Sequence, residues 1–215
     1  MFNNINKGVE VFMKVIGKDM DLKNRDNWIA VIGGRNASEK ELITAYNLSK
    51  RLVERGFVVV SGLAKGIDTY AHKGAIDGGG ETIAIVSTSI DEDIYPPENK
   101  ALSEKIKDNG CIIYPFDKPC KYTSYGINPR VRRLIERSIL NAYVCSIIIV
   151  VSDNSTCIRG GTRWATKYGM DLNKRVYRYD TNNKWHENPN VQDCTINFIR
   201  EIIQEDILVE LDNYR

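Results

Sequence analysis

The chain has 215 residues, of which 42% are hydrophobic and 27% charged, and its 30 Lys and Arg against 28 Asp and Glu leave a formal net charge of +2. That length suits one well-cored domain with short extensions, and the balanced charge excludes a global polyanion-binding character, so any nucleic-acid contact must come from a local basic patch. Five cysteines without Cys-x-x-Cys spacing suggest neither a metal site nor a disulfide framework, no run approaches a membrane span and no signal-peptide pattern opens the chain, so a cytoplasmic protein away from membranes is expected.

Val9, Phe12, Met13 and Ile16 are spaced as on a short amphipathic helix, which makes residues 1–26 an N-terminal helical extension. From Trp28 onward strand and helix patterns alternate. Strands are expected at 28–33, 57–61, 82–87, 111–114, 144–151 and 174–179, and helices at 37–55, 66–77, 98–109, 128–141 and 161–169. Continuously apolar strands such as Val144 to Val151 fit a parallel sheet covered by helices on both faces. The expected fold class is therefore α/β, with a doubly wound, mostly parallel sheet over residues 27–180 and ligand bound beyond the C-terminal ends of its strands. Residues 181–215 read as a polar loop and one amphipathic helix, 196–208, packed on the same domain.

Two of those strand ends carry glycines. Gly33-Gly34-Arg35-Asn36-Ala37-Ser38 opens a helix: its glycines permit close backbone approach, Ser38 can cap, and Arg35 can take a phosphate bidentately. Ser61-Gly62-Leu63-Ala64-Lys65-Gly66 follows the β-branched run Val58-Val59-Val60 and opens the next helix, an arrangement that offers backbone N–H groups, a helix N-terminus and the Lys65 charge to an anion. No third glycine completes a G-x-G-x-x-G pattern, and Val58-Val59-Val60 does not end in an acidic residue, so a dinucleotide cofactor is not expected. His72 lies one helical turn beyond Asp68; with no nucleophile in a suitable setting, Asp68 reads as a brace for the loop and His72 as a hydrogen-bonded core histidine.

Further on, Tyr95-Pro96-Pro97-Glu98-Asn99 forms a rigid entry to a helix. Tyr122 to Arg137 places Arg130, Arg132, Arg133 and Arg137 in eight positions behind Tyr122 and Tyr125, joining charge for phosphates to aromatic faces for bases. Gly160-Gly161-Thr162 before a helix is a third anion-binding pattern.

Three of these blocks, Gly33-Gly34-Arg35 with Ser38, Ser61-Gly62-Leu63-Ala64-Lys65-Gly66-Ile67-Asp68 with Ala71-His72, and Tyr95-Pro96-Pro97-Glu98-Asn99, resemble in order and spacing the DNA-processing protein A (DprA/Smf) family. The segment Asn128 to Ser138 is similar to that family's arginine-rich single-strand-binding segment. The resemblance implies an extended Rossmann-like core, single-stranded DNA as ligand, a RecA-type recombinase as partner, a homodimer and no cofactor. Phosphates would be held by Gly33, Gly34, Arg35, Ser38, Ser61, Gly62, Lys65, Gly66, Gly160, Gly161 and Thr162, with Arg130, Arg132 and Arg133 lining the approach. Gly160-Gly161-Thr162 also resembles the glycine motif of nucleotide phosphoribohydrolases, but Ala165 stands where their catalytic glutamate belongs, so no such enzyme activity and no catalytic residues are expected. The alternative reading is a sensor or sequestering protein for a small phosphorylated nucleotide in the same crevice.

Overall fold

The computed structural model describes residues 13–116, 128–192 and 194. Its eight strands, β1 (Lys14–Gly17), β2 (Trp28–Gly33), β3 (Val58–Ser61), β4 (Thr82–Ile85), β5 (Gly110–Tyr114), β6 (Ile147–Val151), β7 (Arg175–Tyr179) and β8 (Trp185–Glu187), form one sheet in the order β1-β5-β4-β3-β2-β6-β7-β8. Strands β5 to β7 of that order run parallel, while β1 and β8 close the two edges antiparallel.

Helices α1 (Glu39–Val53), α2 (Ile67–Asp77) and α3 (Lys100–Asn109) cover one face, and α4 (Pro129–Val144) and α5 (Thr162–Asp171) the other. Strand residues alternate between the two cores, because successive side chains of a strand point to opposite faces. In β2, Trp28, Ala30 and Ile32 pack with Leu140 and Val144 of α4, whereas Ile29 and Val31 pack with Ala45 and Leu48 of α1 and Ala71 of α2. The strands are continuously apolar because both of their faces are covered.

From β2 the chain winds outward through β3 and β4 to β5, then crosses back to β6 on the other side of β2. The strand order reverses there, and neighbouring loops diverge to leave a crevice beyond Gly33 and Val151, which are paired in register.

Three expectations need correction. The spacing of Val9 to Ile16 does not end in a helix: Ile16 lies in β1 opposite Ile112, and the actual pattern is period two, with Met13 and Val15 turned to the core. A strand wins because it pairs the backbone N–H and C=O groups along the edge of β5. Val144 belongs to α4, and its strand starts only at Ile147. Within the supposed polar loop, Trp185–Glu187 pairs with Tyr177 to Tyr179, in a hairpin whose turn is tied by Asp180 Oδ1 accepting from the amides of Asn182 (2.9 Å) and Lys184 (3.0 Å). Val9, Phe12, Tyr122, Tyr125 and the helix at 196–208 lie outside the described residues.

Candidate functional site

The crevice at the strand-order reversal has a volume of about 510 Å³. Gly33, Gly34 and Arg35 form one rim, Arg159, Gly160, Gly161 and Thr162 the other, and α4 lies alongside. The loops are stitched together: Thr162 Oγ1 donates to Gly33 O at 2.9 Å, and Ile67 N donates to Gly34 O at 3.2 Å. Two of the three sequence-identified anion loops therefore meet at one cavity, and the third, 61–66, reaches it through Ala64, with Gly62 and Lys65 lining a smaller adjoining hollow.

The glycines differ in purpose. A Cβ on Gly62 would lie 1.0 Å from Nη1 of Arg137, so its missing side chain makes room for a guanidinium. Gly66, at φ +77°, has Gly34 O where a Cβ would come within 2.3 Å, so it serves loop against loop. Gly160 and Gly161 have open space there, and Gly34 has no neighbour nearer than 4.0 Å. These three are the places where a ligand can reach bare backbone. Ser38 and Ser61 are committed within the fold: Ser38 forms a capping box with Glu41 on α1, and the buried Ser61 hydroxyl donates to Val31 O at 2.7 Å.

Lys65 is exposed and paired with Glu98 at 2.5 Å, a bond that holds the Glu98 carboxyl below its ordinary range. Asn99, from the Tyr95 to Asn99 block, secures the same loop by donating from Nδ2 to Leu63 O at 2.9 Å. On α4, Arg132 pairs with Glu136 at 2.8 Å, and Arg133 pairs with Glu92 at 2.9 Å while lying over Phe116. Arg130 is exposed on the first turn and does not itself line the crevice, although its neighbour Val131 does. The basic segment is thus largely an internal ion-pair network, and among the described residues Arg35, Arg130 and Arg159 make no ion pair.

Sequence reasoning counted Arg137 in the basic segment without placing it among the phosphate-holding residues and gave Asn141 no role, although both line the crevice. Arg137 is 5% exposed and reaches across the crevice to Asp68, Nη1 donating to Oδ2 at 3.2 Å. Burial pulls the Arg137 pKa down while Asp68 opposes the shift. Leu134, Arg137, Ser138 and Asn141 recur at helical spacing, so the legible signal was the polar Arg137, Ser138 and Asn141 continuing an inward helix face.

Asp68 also accepts from Ala64 N at 3.3 Å, the loop brace expected of it. His72 is fully buried, with Nδ1 2.7 Å from Thr82 Oγ1. Because Thr82 donates its only hydroxyl proton to Val59 O, His72 Nδ1 must carry the proton. Burial, with the nearby Arg137 charge, lowers the His72 pKa to about 3. His72 is a neutral core histidine. His186 sits instead on the edge hairpin, 2.8 Å from Asp180. Among the described residues no cluster of metal-ligating groups occurs, and no helix is long and apolar enough to cross a membrane.

An open doubly wound sheet with a glycine-rimmed, arginine-flanked crevice at its order reversal defines a Rossmann-like α/β protein. Within that class the chain belongs to the DNA recombination-mediator protein A family, whose model matches residues 7–202. DNA processing protein DprA of Streptococcus pneumoniae is 38% identical over 97 residues, which are 44% of this chain and 34% of that protein. Protein Smf of Borreliella burgdorferi is 32% identical over 155 residues, 70% of this chain and 45% of that protein. The chain spans less than half the length of either relative. In structure it is similar to DNA processing protein A of Helicobacter pylori, for which a single-stranded DNA binding mode has been described; the TM-score is 0.64 at 20% identity, covering 100% of this chain and 96% of that one.

Proposed function

We propose that this chain is a DNA-processing protein that binds single-stranded DNA through the crevice between β2 and β6. The observation that carries this reading is the bare backbone at Gly34, Gly160 and Gly161 on facing rims, flanked by the exposed Arg35 and Arg159. Backbone N–H groups and guanidinium groups are the donors that phosphodiesters accept from, and a rim on each side lets a strand run across the opening. Arg130 and Lys65 stand outside the cavity as further positive charge along that path. Family membership supports the same ligand and extends the proposal to a homodimer and to a RecA-type recombinase as partner.

A small phosphorylated nucleotide is the second reading, favoured by the crevice's size: about 510 Å³ lies within the usual range for small-molecule sites. Fluorescence anisotropy with a labelled oligonucleotide, single-stranded or annealed, decides between them when set beside thermal shifts with mononucleotides. The single strand should bind more tightly than the blunt duplex and weaken steeply with salt, and Arg35→Ala and Arg159→Ala should each lower the salt slope by about 1. Equal affinity for duplex and single strand would sink the first reading, and stabilisation by mononucleotides alone would establish the second. Recombinase partnership would be tested by co-sedimentation on coated strands, where failure of the protein to join the filament rejects it.

A further inference from the structure

One face of the sheet runs out of helices toward its β8 edge. The parallel strands β2 to β5 need crossover connections, which lay α1, α2 and α3 on one side, whereas β7 and β8 are joined by a hairpin that brings no helix with it. Residues opposite one another in an antiparallel pair point the same way, so Tyr179 with Trp185 and Tyr177 with Glu187 share a face. It is the α1 side, because Tyr179 packs in the core with α1 and α2. Arg175, two residues before Tyr177, belongs to the same face. Trp185 is 50% exposed there, its ring tilted on Tyr179 at 4.4 Å and met edge-on by Tyr177 at 5.7 Å.

Cations flank these rings. Arg51 donates from Nη2 to the Tyr179 hydroxyl at 2.9 Å, and Arg55 donates to Arg51 O at 3.0 Å. Arg51, Arg55 and Arg175 are all exposed, and among the described residues none of them makes an ion pair. Glu54 and Glu187 are the exposed carboxylates beside them, while Asp180 is occupied by His186 and the turn amides. An apolar protein surface would have to desolvate the guanidinium groups without supplying an anion. A single-stranded nucleic acid brings a π face for the ring and phosphates for the arginines together. The hairpin turn also stands at the crevice end of the sheet: Tyr179 is in register with Val151 and Val151 with Gly33, two strand spacings or about 10 Å away. We infer that the outer face of the β7–β8 hairpin is a second contact for the bound strand, with a base stacked on Trp185 and flanking phosphates on Arg51 and Arg175. This rests on the single-strand reading above and extends the strand's path beyond the crevice, over the edge of the sheet.

The test compares oligonucleotides of about 4 and about 16 nucleotides, the span of common single-strand footprints. Of the three tryptophans, Trp28 and Trp164 are 2% and 8% exposed, so quenching of the fluorescence by acrylamide reports mainly on Trp185. In the wild type the long strand should shield Trp185 from acrylamide and the short one should not. Trp185→Ala should bind the long strand about tenfold more weakly and the short one as the wild type does. Arg175→Gln, at an exposed strand position, serves if Trp185→Ala folds poorly: it should lower the salt slope of the long strand by about 1 and leave that of the short strand alone. Binding of the long strand with Trp185 still open to acrylamide, or equal losses for both lengths, would overturn the second contact and leave single-strand binding standing. Shielding of Trp185 that grows with protein concentration in the absence of DNA would assign the face to a second copy of the chain and overturn it as well. Failure of the wild type to bind either strand would reject both readings.

Discussion

Gly62 and Arg137 show at the residue scale how one missing side chain governs a buried charge. With a Cβ at 62, Nη1 of Arg137 would be 1.0 Å away, so Gly62→Ala must expel the guanidinium and leave Asp68 buried without its cation. The expected loss is about 3–5 kcal/mol, and Arg137→Ala should cost a similar amount for the same reason. Because the first change already breaks the pair, the double variant should be little worse than either single one. Urea denaturation of the three proteins measures this, and simply additive losses would contradict the shared cause. His72 supplies a pH dependence. Its folded pKa of about 3 lies below the ordinary 6.5, so between those values the unfolded chain binds the extra proton and stability falls as pH falls. From pH 7 to pH 5 this amounts to about 2 kcal/mol. Glu136, raised by burial, acts in the opposite sense nearer the carboxylate range. Melting curves of His72→Leu against wild type isolate the histidine: the variant should show the flatter acid limb, and parallel curves would refute the assignment.

Among the elements, α1 and α4 each hold polar groups that keep their loops in place. Ser38 and Glu41 form the reciprocal cap of α1, and Glu41 Oε1 also accepts from Asp153 N at 2.9 Å, tying that helix start to the loop after β6. Ser38→Ala should cost about 1 kcal/mol in denaturant titrations. On α4, Arg133 joins Glu92 and the face of Phe116, which fastens the helix to the loop after β4. Arg133→Ala should therefore lower stability by about 1–2 kcal/mol and change oligonucleotide affinity less than Arg35→Ala does. Anisotropy with both variants checks the order, and the reverse order would return Arg133 to the binding surface. Basic composition alone could not separate these arginines, because Glu92 lies 41 residues upstream of the side chain it neutralises.

For the whole molecule, the sheet is closed by antiparallel strands at both edges, and β1 covers β5 along Cys111 to Tyr114. Removing β1 should expose a row of unpaired backbone groups on an apolar strand and promote association, visible as concentration-dependent light scattering. A monodisperse product would show the edge to be protected by other means. Local pattern by itself determined the alternation of elements and the three glycine loops, since apolar periodicity and backbone freedom are properties of short stretches. The parallel sheet covered on both faces followed from continuously apolar runs such as Val144 to Val151. Tertiary structure alone decided that residues 14–17 are a strand, because the backbone groups they satisfy belong to β5, far along the chain. It also decided which glycines face open space and which face a neighbour, since Gly62 is filled by Arg137 and Gly66 by Gly34 O. Arg137 and Asn141 became residues of the crevice wall for the same reason: their burial and the pairing of Arg137 with Asp68 depend on what the fold places opposite them, not on their neighbours in sequence.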